Sequence, residues 1–150
     1  MKAFKDLASL AAHLKKQINA SLVEAVAPKV EKTMEHEIGS TVYDSYTPTE
    51  YARRGELGAA ENIVSEEVGE GAVLVKSVAK SSPSVVDGSV SDQLPQWVSE
   101  GVPDIFNSGG GPWSEPRDFV GATVERLKSE GEIKKSMAAS LNARGIRTTG

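Results

Sequence analysis

Apolar residues open the chain at Phe4, Leu7, Ala11, Leu14, Ile18 and Leu22. Steps of three and four place them on one helical stripe. The stripe continues in steps of four through Val26, Val30, Met34, Ile38 and Val42. Repeated steps of four rotate it slowly about the axis, so the two ends of a long helix face different partners. Pro28 falls inside this pattern, where a proline either kinks the helix or starts a second one at its first turn. The spacing predicts one long N-terminal helix, kinked or broken at Pro28 and ending near Gly39.

After this arm, Thr47-Pro48-Thr49-Glu50 forms a capping box with proline at the first helical position. Gly55 is placed to close that short helix in the left-handed conformation. The apolar period then changes. Residues 62–68 alternate Val64, Glu66 and Val68 against Ile63, Ser65 and Glu67, and residues 72–80 contain the strongest strand pattern, Ala-Val-Leu-Val-Lys-Ser-Val-Ala-Lys. Gly69-Glu70-Gly71 between them predicts a hairpin with a three-residue turn. Residues 81–92 read as loop or a weak extra strand, and Gln93–Glu100 as a short helix carrying Leu94, Trp97 and Val98.

Gly101–Pro116 reads as loop, and helical spacing returns at Phe119, Val120, Thr123, Val124 and Leu127. Ser129-Glu130-Gly131-Glu132 is a second capping-box pattern. It opens a helix with Ile133, Met137, Ala138 and Leu141 on one face, closed by Arg144-Gly145. Residues 146–150 read as a loose tail. The order of elements predicts an α+β fold in a single domain over 1–150: a long N-terminal helix, a central β-hairpin or small antiparallel sheet, and C-terminal helices.

Composition narrows the chemistry. The chain has no cysteine, which excludes disulfides, cysteine-ligated metals and a thiol nucleophile. No apolar run approaches the roughly 20 residues that span a bilayer, so no membrane partner is expected. The net charge of −4 is uneven. Residues 1–54 hold eight basic and seven acidic side chains (+1), and residues 114–150 hold seven and five (+2). Residues 55–113 set Lys76 and Lys80 against nine acidic side chains (−7), which opposes a grip on nucleic acid. Such a run is either a solvated acidic face or a means of orienting neighbouring subunits.

No residue group assembles a reaction. His13 and His36 are isolated in sequence, and His36 lies between Glu35 and Glu37, which splay about 100° apart from it on a helix and cannot converge with it on one ion. Gly109-Gly110-Gly111 lacks the lysine and hydroxyl of a phosphate loop, and Pro112 removes a backbone donor. No nucleophile elbow occurs. We therefore expect neither enzyme activity nor a cofactor. Arg53 and Arg54 are the sharper feature, because guanidinium forks carboxylates and stacks on aromatic rings such as Tyr51. Their roles stay open at this level: a local cap pairing with Glu50 or Glu56, an ion pair between subunits, or an anion site.

Three blocks together resemble a known family. They are Val42-Tyr43-Asp44-Ser45-Tyr46 running into Tyr51-Ala52-Arg53-Arg54-Gly55; Gly110-Gly111-Pro112-Trp113 running into Pro116-Arg117-Asp118-Phe119; and Leu141-Asn142-Ala143-Arg144-Gly145-Ile146. This set is similar to the neck proteins of tailed bacteriophages, in the tail-completion or head–tail joining branch often labelled minor capsid proteins. Two departures stand out: Asp118 replaces a second proline, and Glu56–Ala60 lacks a glycine pair. The resemblance implies a virion structural protein located at the head–tail junction, and in the host cytoplasm during assembly. It implies a homo-oligomeric ring, a hexamer, between a head-side connector or stopper protein and the tail tube or tail terminator. DNA would pass through the lumen without sequence-specific binding. The implied interface residues are Tyr46, Tyr51, Arg53, Arg54, Trp113, Arg117 and Phe119. The alternative is a non-viral adaptor module that binds through its N-terminal helix.

Overall fold

The computed structural model describes residues 4–45, 47, 54–83, 88–101 and 115–148. Its first helix, α1 (Leu7–Ser21), starts at a cap that apolar spacing does not reveal. The Asp6 side chain accepts from the Ser9 N–H at 2.7 Å, and the Ser9 hydroxyl accepts from the Asp6 N–H at 3.3 Å. This reciprocal pair satisfies two of the donors that a helix start leaves open.

The chain then remains helical without a break. A π-helical turn (Leu22–Val26) leads into α2 (Ala27–Glu37), and a second π turn (Ile38–Tyr43) follows, with right-handed dihedrals at each junction. At ~1.5 Å per residue, the rod is roughly 55 Å long. Of the kink or break expected at Pro28, the break is absent. The turn just before it has shifted its hydrogen bonds by one residue, with the Ala27 N–H donating to the Leu22 carbonyl, and Pro28 sits in the first turn of the next segment, where a missing donor matters least. The helix also passes Gly39 and ends at Tyr43, where the Asp44 N–H reaches the Gly39 carbonyl at 2.9 Å. Burial of Val42 offsets the poor helix propensity of glycine.

The hairpin comprises β1 (Ile63–Gly69) and β2 (Ala72–Ser77), antiparallel, with Ile63 opposite Ser77 and Glu66 opposite Leu74. Gly69 still pairs with Ala72, so the turn is Glu70-Gly71 and not three residues. A bulge before Gly69 absorbs the odd residue, and Gly71 takes φ 77°. β2 stops three residues short of its predicted end because Ala79 leaves the sheet for the core.

Helix α3 (Leu94–Glu100) is followed by α4 (Phe119–Glu130) and α5 (Glu132–Ala143). The predicted cap at Ser129 is not used. Its hydroxyl donates to the Arg126 carbonyl of its own helix, and Gly131 alone, at φ 61°, turns α4 into α5. The tail is better tied than expected. The Gly145 N–H donates to the Asn142 carbonyl, the Ile146 N–H to the Leu141 carbonyl and the Thr148 N–H to the Asn142 side chain. The first two bonds, with Gly145 at φ 79°, form a Schellman stop.

Met34, Ile38 and Val42 of the rod, Leu57, Ile63, Ala79, Val98 and Phe119 form the core. It surrounds the second half of the rod. The first half lies outside it: α5 crosses there through Ser140 to the buried Ser21 (3.0 Å) and through Arg144 to Gln17 and Glu24, while Leu7 is 79% exposed. The rotating stripe thus faces two environments, as its spacing predicts.

Candidate docking surface

Of the seven residues expected at an interface, Tyr46, Tyr51, Arg53 and Trp113 lie outside the described residues, as does the helix predicted from the Thr47–Glu50 box. Arg54 is among the described residues, and its Nη2 donates to the Glu56 carboxylate at 2.7 Å. The local pairing left open by the sequence is therefore present for this arginine. Both side chains are well exposed, so the pair contributes little to stability. Gly55 has the predicted left-handed conformation, φ 74°.

What holds this turn in place is a residue that spacing did not single out. Tyr43, at the end of the rod, accepts a hydrogen bond at its hydroxyl from the Gly58 N–H at 2.9 Å. Leu57 beside it is buried, and Asn62 donates to the Glu56 carbonyl at 2.8 Å. Residues 54–58 are thereby clamped to the last turn of the long helix. The signal was present in the sequence, since Tyr43 belongs to the first resemblance block, but its partner lies fifteen residues away.

The second expected segment is anchored to the same core. The Arg117 N–H donates to the Val98 carbonyl at 2.9 Å, and Arg117 is half-buried. Phe119 is corrected from an interface residue to a core residue: it is 1% exposed, among the largest fully buried side chains, and offers no surface for docking. Asp118, the departure from the expected proline, caps α4. Its Oδ1 accepts from the Gly121 N–H at 2.7 Å and from the Ser99 hydroxyl at 3.2 Å. A side chain at residue 121 would run into this carboxylate, which explains the glycine there. Replacing Asp118 by Ala should cost about 1 kcal/mol; a thermal melt reads it, and an unchanged midpoint would contradict the cap.

The strongest polar cluster joins α2 to α4. Arg126 donates to the Glu37 carboxylate at 2.9 Å and to Glu130 at 3.0 Å, with its Nη1 2.9 Å from the His36 ring. Its members are about ninety residues apart, too far for spacing to pair them. The Glu37 side chain is 12% exposed, and the Arg126 guanidinium, with help from His36 and Ser40, holds its carboxyl below the usual glutamate value. A lowered native value means this contribution is complete above the unfolded glutamate value and is lost as pH falls through the native one. Glu37→Gln should therefore flatten the acid limb of stability against pH while leaving its shape above pH 6 unchanged; a series of melts at stepped pH checks it.

Among the described residues no group of three or more His, Asp or Glu side chains could hold a metal ion, and no helix is long and apolar enough to cross a membrane.

The YomN family profile matches residues 6–143. The chain belongs to the YomN family. This is a phage-derived family of the Bacillus-prophage type, so the bacteriophage origin implied by the resemblance holds at that level. No curated protein matches the chain, and no solved structure does. The YomN match runs from the Asp6 cap of α1 to Ala143, the last residue of α5, and so spans every element described.

Proposed function

We propose that this YomN-family chain is a non-enzymatic structural subunit of the phage neck. In this reading its copies form a hexameric ring between a head-side connector or stopper and the tail tube or terminator, located in the virion and, before assembly, in the host cytoplasm. The observation that carries the reading is the clamp of residues 54–58 on the end of the long helix through Tyr43 and Gly58. A turn held this way loses little conformational freedom when it docks, so its contacts contribute nearly their full strength to assembly. The phage-derived family and the three motif blocks support the same reading. The acidic middle of the sequence suits a channel wall, because negative walls do not bind phosphate.

The test is the double substitution Arg53→Ala with Arg54→Ala. We expect a folded protein, since the described Arg54 pair is exposed and local, and particles whose heads and tails fail to join. Normal virion yield would end the proposal. The adaptor reading has one observation in its favour, the exposed apolar residues of α1. It predicts that an α1 truncation, and not the arginine substitutions, removes partner binding.

A further inference from the structure

Helix α5 is tied to the fold without entering its core. None of its residues is fully buried and none belongs to the core cluster. Its apolar face, Met137, Ala138 and Leu141, is half-buried, and Ile133 is 43% exposed. The helix runs along residues 17–29 of the rod in the opposite direction. Glu132 meets Lys29 at 2.8 Å, the Ser140 hydroxyl meets that of Ser21 at 3.0 Å, and Arg144 reaches Gln17 at 3.4 Å and Glu24 at 2.5 Å. Ser21, under this contact, is 0% exposed.

These ties are polar and reach water: the Lys29 side chain is 38% exposed and Glu24 66%. Pairs so exposed contribute little to stability, and water replaces their hydrogen bonds once they part. The joint to α4 is one residue, Gly131, at φ 61°, where an added Cβ would meet nothing within 4 Å. Lys135 Nζ donates to the Glu130 carbonyl across it at 2.7 Å. On the other side of the joint α4 is fixed firmly, by Phe119 in the core and by Arg126 on Glu37. A segment with few buried contacts opens at a lower free energy than the core it leans on.

We propose that α5 is a releasable strap, which swings off residues 17–29 of the rod about Gly131 as one unit while α2, α4 and the hairpin stay folded. Opening uncovers Ser21 and leaves the core cluster whole. Glycine suits the joint because it passes freely between the left-handed and right-handed regions. The strap stands whether or not copies of the chain form a ring.

The test is native-state hydrogen exchange on the full chain, read at single amides by NMR. A free helix of 12 residues is marginal in water, so the α5 amides exchange once the strap is off. Those of Ser136–Leu141 should exchange together, at least about tenfold faster than Met34 of the rod and Leu127 of α4, with the step in protection at Gly131. Two mild substitutions separate the strap from simpler behaviour. Ile63→Val, in the core, should speed Met34 and Leu127 about fivefold and leave α5 unchanged, because the core stays folded when the strap opens. Lys29→Ala removes the tie nearest the joint and should speed all six α5 amides alike, by about threefold, including Leu141 at the far end. Equal protection of α5 and the core, or an α5 that Ile63→Val accelerates, would mean that it opens only with the whole chain. A Leu141 amide indifferent to Lys29→Ala would mean that the helix end merely frays. Each of these results overturns the strap.

Discussion

Phe119→Ala should destabilise the isolated chain by about 3–5 kcal/mol, the usual cost of emptying a fully buried phenylalanine site. Phe119 opens α4 and packs with Ile38 and Val42 of the rod, Leu57 after the arginine turn and Val98 of α3. Its removal leaves a cavity in the cluster shared by the second half of the rod, the hairpin, α3 and α4. Partial collapse is opposed by the rod, which cannot bend inward without breaking its hydrogen bonds. A chain of this length loses roughly 2–4 °C of melting temperature per kcal/mol, so a drop of about 10 °C is expected. Val120→Ala, one residue along the helix on the exposed side, should stay within about 0.5 kcal/mol of wild type and serves as control. Equal effects at both positions would show that Phe119 is not the core residue described.

The second large effect is expected at Gly58. A methyl group there would come within 3.0 Å of Ile38 Cγ2 and 3.2 Å of Tyr43 Cε2. Ile38 is 0% exposed and cannot retreat, and Tyr43 is held by its own hydrogen bond to the Gly58 N–H. Gly58→Ala should therefore cost about 1–3 kcal/mol through overpacking. It should also loosen the segment that mounts Arg54, so urea denaturation and amide exchange at residues 54–58 should report together. Unchanged exchange at those amides would mean that the tyrosine clamp does not hold the turn. Tyr43→Phe provides the comparison, because it removes the bond without adding volume.

The long helix was legible because its apolar steps of three and four persist from Phe4 to Val42, and periodicity is a property of neighbours along the chain. The hairpin was legible for the same reason, with glycines marking its turn. Its loop length was not, because a bulge depends on how two strands pair across space. The interface list fared unevenly. Arg54 sits on an exposed turn with a local partner, but Phe119, chosen from a motif, is a core residue. Motif membership does not distinguish a residue that packs inward from one that faces a partner. The closing Arg144-Gly145-Ile146 block has a local explanation too, since it forms the hydrogen-bonded stop of α5.

Taken alone, the amino-acid order determined the element types, the α+β class and the lack of thiol chemistry. Each of these follows from local periodicity, capping chemistry or simple inventory. Only the tertiary structure decided that Pro28 leaves the rod intact, that Tyr43 clamps Gly58, that Arg126 reaches Glu37, and that the first half of the rod lies outside the core. These depend on which groups meet after the chain folds back on itself. Burial and hydrogen bonding between distant residues then outweigh the preferences that each segment has alone.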